Sequence, residues 1–197
     1  KAPGMVVIQE WWGLTDQIKG VADKLASAGY RALVPDLYRG KIALEANEAK
    51  HLMEGLNFGD AAGQDIRGAV QYLKKDSKKV GVTGFCMGGA LTVLSSCNVP
   101  EMDAGVIWYG YPPLEYVDAA KIKAALLLHY AGLDERIDAG IDAYKKALDA
   151  AHVEYTVYVY DGVNHAFNND TSAARYDKKA ADLAWGRTIA FLKEKLA

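Results

Sequence analysis

Short apolar runs alternate along the chain with segments in which apolar residues recur every three to four positions. Runs of this length suit strands that are buried on both faces. The predicted strands are residues 5–9, 30–34, 79–83, 104–109, 124–129 and 155–160. The predicted helices are residues 15–28, 43–54, 60–75, 138–151 and 172–195, with one more starting after Cys86. This alternation predicts an α/β fold, with a mostly parallel sheet and helices on both faces.

Length and composition fit one globular domain spanning residues 1–197. The chain is 51% hydrophobic and 24% charged, and no linker or repeat divides it. Its longest apolar stretches are too short to cross a bilayer, and no signal-peptide pattern is present. The net charge of −2, without blocks of like charge, gives no reason to expect a nucleic-acid partner. We therefore expect a small-molecule substrate, with neither a membrane nor a nucleic acid as partner.

The two cysteines, Cys86 and Cys97, are too few for a disulfide scaffold. If both lie on one helix, eleven residues place them roughly 16 Å apart, whereas a disulfide needs Cα atoms within about 7 Å. We expect two free thiols and a cytoplasmic location.

Residues 84–88, Gly-Phe-Cys-Met-Gly, form the strongest local motif, because they join a predicted strand to a predicted helix. A nucleophile at such a turn is pushed into solvent, and flanking glycines leave room where strand and helix nearly touch. The amino end of the following helix favours a thiolate at Cys86. The backbone N–H of Met87 is then placed to bind an oxyanion.

Two later loops carry candidate partners for Cys86. Asp134 and His165 each follow a predicted strand, where the ligands of parallel sheets bind, and they have the order acid then histidine expected after such a turn. His165 would take the thiol proton and Asp134 would orient the imidazole. Asp161 is the alternative acid, although its place in an Asp-Gly turn also fits a structural role.

The other histidines fit structural roles. His129 lies inside an apolar strand and is expected to be a core residue, whereas His51 and His152 are expected on the surfaces of helices. No spacing typical of a metal site is present, so we expect neither a metal nor another cofactor.

With these residues placed, the chain resembles the dienelactone hydrolase family. The resemblance covers nearly the whole chain and rests on residues 7–14, 32–38, 84–89 and 162–167. It implies an α/β-hydrolase fold and the cleavage of a carboxylic ester or lactone through an acyl-thioester on Cys86.

The resemblance also implies roles for Glu10 and Trp11. In the family, the glutamate at this position sits near the resting cysteine and takes part in its activation when substrate binds. A carboxylate beside a thiol opposes thiolate formation, so Cys86 would be held in reserve. The N–H of Trp11 would be the second oxyanion donor.

Two departures from the family matter. Asn169 stands where an arginine binds the substrate carboxylate in the best-known members, and no arginine occurs between Arg39 and Arg67. Since asparagine cannot reproduce a bidentate arginine clamp, we expect a more neutral substrate. The predicted contacts are aromatic: Trp12, Tyr38, Phe85, Tyr109, Tyr111 and Phe167, besides Trp11.

The second departure is that the antiparallel strands expected before residue 5 are absent, so either the sequence is truncated or a partner completes the sheet.

Two other functions remain open at this point. An amidase-like or other thiol-dependent enzyme of flavodoxin-like topology would also use a glutamate and a cysteine at such a turn, but it need not have Asp134 and His165 in these loops. A non-catalytic ligand-binding protein could use the same scaffold. The sequence is compatible with either a monomer or a homodimer.

Overall fold

A computed structural model describes all 197 residues and contains one six-stranded sheet. Its strand order is β2-β1-β3-β4-β5-β6, and every pairing is parallel. The strands are β1 Gly4–Ile8, β2 Arg31–Leu33, β3 Val80–Phe85, β4 Ala104–Trp108, β5 Ala125–Ala131 and β6 Tyr155–Tyr160. All six predicted strands are confirmed, with small differences at their ends.

The longer helices are α1 Asp16–Ser27, α2 Ala46–Gly55, α4 Arg67–Lys74, α5 Met87–Asn98, α7 Ile141–Ala150 and α8 Lys178–Lys195. Two short helices, α3 Phe58–Asp60 and α6 Glu135–Asp138, lie between them, and a π-helical stretch, Ala61–Ile66, leads into α4. None of the helices combines the length and apolarity needed to cross a membrane.

Two apolar layers cover the two faces of the sheet. Alternate residues of β1 point to opposite faces, as the pleat requires: Met5 and Val7 pack beneath α1 and α8, whereas Val6 and Ile8 pack beneath α4, α5 and α7. The predicted arrangement of helices on both faces is therefore confirmed.

Several predicted helices differ from the structure: the helix predicted at 43–54 begins at Ala46, and residues 60–75 form a π-helical stretch followed by α4 instead of one α-helix. The last helix begins at Lys178 rather than at residue 172, because the side chain of Asp177 accepts a hydrogen bond from the Ala180 N–H at 2.9 Å and caps the helix there. The predicted helix at 138–151 is instead α6 and α7, separated near Gly140. His152 is exposed but lies in the turn after α7, at a φ of 56°.

Candidate active site

Cys86 stands alone between β3 and α5, at the carboxyl edge of the sheet. Its backbone has φ 58° and ψ −112°, a strained conformation for any residue with a Cβ. Two hydrogen bonds hold it there: its N–H donates to the Trp108 carbonyl at 2.9 Å, and its carbonyl accepts from the Ala90 N–H at 3.1 Å. The turn therefore lifts the thiol out of both the strand and the helix.

The glycines of the motif are required by the close approach of α5 to the strands. A Cβ on Gly84 would lie 2.0 Å from the Gly88 carbonyl oxygen. A Cβ on Gly88 would lie 2.5 Å from the carbonyl oxygens of Ile8 and Gln9. Neither position can carry a side chain unless the backbone shifts.

The structure brings together Cys86, His165 and Asp134. The Cys86 Sγ lies 3.0 Å from His165 Nε2, and His165 Nδ1 lies 2.5 Å from Asp134 Oδ2. Burial opposes protonation of His165, but the hydrogen bonds and charges of Asp134 and Cys86 outweigh it and raise the pKa of the imidazole to about 10. Asp161, the alternative acid, is exposed and makes no hydrogen bond to His165.

The two backbone N–H groups predicted as oxyanion donors make no hydrogen bond with other parts of the chain. Met87 is the first residue of α5, where an N–H has no acceptor inside the helix, and the other is the N–H of Trp11 in the turn after β1. Hydrogen bonds from the Gly13 N–H to the Glu10 carbonyl and from the Ala43 N–H to the Trp12 carbonyl fix that turn. Both predicted oxyanion donors are therefore unoccupied.

Glu10 is buried and its Oε1 accepts a hydrogen bond from the Asn169 side chain at 2.8 Å. Burial raises the pKa of this carboxyl, although Asn169 and the charges of His165 and Arg175 pull it down. The structure contains no hydrogen bond between Glu10 and Cys86, whose thiol is bonded to His165 instead. The role of Glu10 in activating Cys86, which the resemblance implies, stays a prediction.

Three of the predicted substrate contacts are core residues. Phe85, Tyr109 and Phe167 are at most 1% exposed and pack around Trp108, so no ring surface is open to a ligand. Their assignment as substrate contacts is corrected accordingly. The ring of Tyr109 packs against His165, and Phe85 and Phe167 both pack against Tyr109.

Tyr38 is 7% exposed and Trp11 and Trp12 are half-buried, so part of each ring is open, and their role as substrate contacts stays a prediction. The Tyr38 hydroxyl lies 3.5 Å from the sulfur of Met87, and burial together with the nearby Cys86 raises its pKa to about 12. Tyr38 also lines an open groove of about 470 Å³ between the loop after β2 and the α2–α3 region. The groove is lined, among others, by Tyr38, Lys41, His51, Leu52, Leu56 and Asn57.

The contact between Asn169 and Glu10, which are 159 positions apart, could not be predicted from the sequence. The positive φ of Tyr109, 40°, and the packing of its ring against His165 could not be predicted either. The core role predicted for His129 is confirmed, since its ring is fully buried between the hydroxyls of Tyr160 and Thr188. No group of three or more His, Cys, Asp or Glu side chains is arranged to hold a metal ion.

Comparison with known proteins agrees with this geometry, since residues 1–196 match the Dienelactone hydrolase family. The chain belongs to that family. It is 39% identical to Protein usf of Aquifex pyrophilus and 36% identical to a provisionally named carboxymethylenebutenolidase of Aquifex aeolicus, in each case over 98% of this chain and 89% of the relative.

The solved structures extend the likeness to the fold. A provisionally named dienelactone hydrolase from Klebsiella pneumoniae superposes with a TM-score of 0.85 at 27% identity, covering 96% of this chain and 85% of that one. The predicted α/β-hydrolase fold and the predicted family are both confirmed.

Proposed function

We propose that this dienelactone hydrolase family member hydrolyses carboxylic esters or lactones with Cys86 as nucleophile. The single observation that carries the proposal is the 3.0 Å contact between Cys86 Sγ and His165 Nε2 at a strained turn. Asp134 supports the imidazole from its other nitrogen. A nucleophile bonded to a base that is itself oriented by a third group is the arrangement that covalent acyl transfer requires.

The chemistry follows from the positions of the protons. With the thiol proton on His165, the Cys86 sulfur attacks the acyl carbon, and the carbonyl oxygen becomes an oxyanion that the N–H groups of Met87 and Trp11 stabilise. The carbon–oxygen bond to the leaving group then breaks, and His165 gives its proton to the departing oxygen. The products are an alcohol, or the hydroxyl end of an opened lactone, and an acyl-thioester on Cys86.

The second half regenerates the thiol. His165, now neutral, takes a proton from a water molecule, which attacks the thioester carbon. The tetrahedral intermediate forms with its oxygen on the same two N–H groups, and the carbon–sulfur bond breaks. The carboxylic acid leaves, and the proton is again shared between Cys86 and His165.

A substrate that is neutral near the reacting carbon fits this site best. The Asn169 amide is bonded to protein partners and carries no charge, so it is not available to bind a substrate carboxylate. The open groove beyond Tyr38 gives space for an acyl or alcohol group of moderate size.

Replacing the nucleophile tests the proposal directly. We expect Cys86→Ala to lower kcat for p-nitrophenyl acetate and for a neutral enol-lactone by about 10³-fold or more, while the matched variant Cys97→Ala keeps its activity. Mass spectrometry of the wild-type enzyme, quenched during turnover, should find the acyl group on the peptide that contains Cys86. Full turnover by Cys86→Ala would refute the proposal.

A further inference from the structure

Residues 109–111, which directly follow β4, lie against the nucleophile and the base of the proposed site. The ring of Tyr109 packs against the imidazole of His165. Gly110 lies so close to the backbone of Cys86 that a Cβ at this position would be 2.2 Å from the Cys86 carbonyl oxygen. Two of the three residues in this segment therefore meet members of the site directly.

The last residue of the segment, Tyr111, reaches the third member through a short helix. Its hydroxyl donates a hydrogen bond to the Ile137 carbonyl at 2.7 Å. Ile137 lies in α6, which begins directly after Asp134. The Tyr111 hydroxyl is thus bonded to the helix that follows the acid of the site.

α6 has few other restraints of its own. It has four residues, and a helix this short is unstable by itself because few hydrogen bonds offset the entropy lost in forming it. The side chain of Asp134, at the N-cap position, bonds to His165 and makes no capping hydrogen bond. The last carbonyls of a helix have no partner inside it, and the bond from Tyr111 ties one of them to a different part of the chain.

Packing and backbone geometry keep the Tyr111 hydroxyl in this position. Its ring stacks on Tyr144 of α7, with 5.7 Å between the ring centroids and 16° between the planes, and meets Tyr130 of β5 edge-on at 6.3 Å. Pro112 follows and disfavours helical backbone at Tyr111. A Cβ at Gly140 would lie 2.0 Å from the hydroxyl oxygen, so the absence of a side chain there lets the hydroxyl reach α6.

We propose that Tyr111 is a positioning residue, which holds Asp134 at hydrogen-bond distance from His165 by anchoring α6. The proposal rests on the proposed function and deepens it. Because Tyr109 and Gly110 meet the base and the nucleophile, one segment after β4 sets the spacing of all three groups. Such spacing matters for the reaction, since a misplacement of about 1 Å can cost an enzyme about 100-fold in rate.

Tyr111→Phe removes the hydrogen bond and keeps the ring. We expect kcat for p-nitrophenyl acetate to fall by about tenfold while KM stays within about twofold, because the acid is displaced and the substrate contacts are not. Tyr144→Phe is the matched control, since this tyrosine belongs to the same aromatic cluster and its buried hydroxyl makes no hydrogen bond. Both of its kinetic constants should stay within about twofold of the wild type.

The pKa of His165, followed by NMR without substrate, separates positioning from a loss of packing. Although burial lowers this pKa, the hydrogen bonds and charges of Asp134 and Cys86 raise it to about 10. Tyr111→Phe weakens the contribution of Asp134 and should lower the pKa by about half a unit or more, whereas Tyr144→Phe should not move it. A purely structural role would lower the melting temperature and leave the pKa in place. An unchanged pKa in Tyr111→Phe, or an equal fall in both variants, would overturn the proposal.

Gly140→Ala breaks the same contact from its other side. The added Cβ would displace the Tyr111 hydroxyl from Ile137, so kcat should fall as it does in Tyr111→Phe. If both changes act through one hydrogen bond, the double variant should lose less activity than the product of the two single effects. Two effects that multiply in full would contradict the proposal.

The result for Cys86→Ala keeps failure of this inference separate from failure of the proposed function. If Cys86→Ala is inactive while Tyr111→Phe keeps the wild-type kcat and the wild-type pKa of His165, only the positioning role is lost. If Cys86→Ala still hydrolyses esters, the proposed function fails. The pKa of His165 in Tyr111→Phe needs no substrate, so it decides whether Tyr111 positions Asp134 in either case.

Discussion

The ring of Tyr109 packs edge-on against the imidazole of His165, with 5.0 Å between the ring centroids. Tyr109 directly follows β4, and its N–H donates to the His129 carbonyl at 2.7 Å. The ring is fully buried and also contacts Phe167. His165 is therefore positioned by packing on its face as well as by Asp134 at its Nδ1.

This packing predicts that activity and stability depend on the ring of Tyr109 and not on its hydroxyl group. The buried hydroxyl makes no hydrogen bond of normal geometry, so Tyr109→Phe should keep kcat/KM within about twofold and should not lower the melting temperature. Tyr109→Ala should cost about 3–4 kcal/mol of stability and at least tenfold in kcat/KM, because a cavity opens beside His165. A large loss of activity in Tyr109→Phe would contradict this reading of the contact.

The protonation of His165 should be visible by histidine NMR. Its pKa in the folded protein is raised to about 10, against 6.5 for the free side chain, so its signal should titrate near pH 10. Cys86→Ala removes one of the causes and should lower that pKa. His129, whose pKa burial lowers to about 3, provides an internal control that should not titrate between pH 5 and 11. Titration of wild-type His165 near 6.5 would contradict the paired state.

The same shift makes stability depend on pH. Because the folded state holds the His165 proton more tightly than the unfolded state, the stabilisation is fully present below about pH 6.5 and is lost as the pH rises toward about 10. Urea unfolding of the wild type should therefore show a free energy of unfolding that falls over this window. The fall should be smaller in Cys86→Ala, and a fall of equal size in both proteins would show that other groups cause it.

The close approach of α5 to the strands predicts that replacing two different glycines by alanine has opposite effects on stability. Gly84→Ala should unfold the protein or cost more than about 3 kcal/mol, because its Cβ would meet the Gly88 carbonyl oxygen. Gly20→Ala is the matched control, since nothing lies within 4 Å of a Cβ at this position in α1. It should stabilise the protein by about 0.5–1 kcal/mol. Thermal melts of both variants measure the difference, and equal melting temperatures would contradict it.

The groove beyond Tyr38 predicts a change in substrate range. His51→Trp should narrow the groove and lower kcat/KM for esters with bulky groups by about tenfold, with little effect on p-nitrophenyl acetate. His152→Trp, which changes another exposed histidine in the turn after α7, should leave the ratio of the two rates unchanged. Equal losses on large and small esters in His51→Trp would show that substrates do not use the groove.

Much of the fold could be predicted because its signals are local. Each buried parallel strand is a short apolar run, and the glycine at position 84 is required by a contact with Gly88, only four residues away. The order of Cys86, Asp134 and His165 along the chain, together with the strands they follow, was enough to predict that they meet. Their catalytic roles remain a prediction until activity is measured.

Other features depend on how deeply a side chain is buried and on contacts between residues far apart along the chain, and neither can be read from a local sequence pattern. Phe85 and Phe167 are aromatic residues of the kind that line substrate pockets. The pleat of β3 and the packing of the last loop nevertheless put them in the core. Residues 172–177 have good helix formers, but the loop that carries Asn169 and Thr171 uses them in turns, and α8 starts only after its Asp177 cap. The same loop brings Asn169 to Glu10.

The groups of the proposed site follow β1, β3, β5 and β6, so they span most of the width of the sheet. The shortest contiguous fragment that contains Glu10, Cys86, Asp134 and His165 together runs from residue 10 to residue 165. A molecule in which the β6 edge has opened or been cut by a protease loses His165 from the sulfur, and Cys86 becomes an ordinary thiol. Damage to the fold therefore removes the activation proposed for Cys86 and does not leave a reactive thiol exposed.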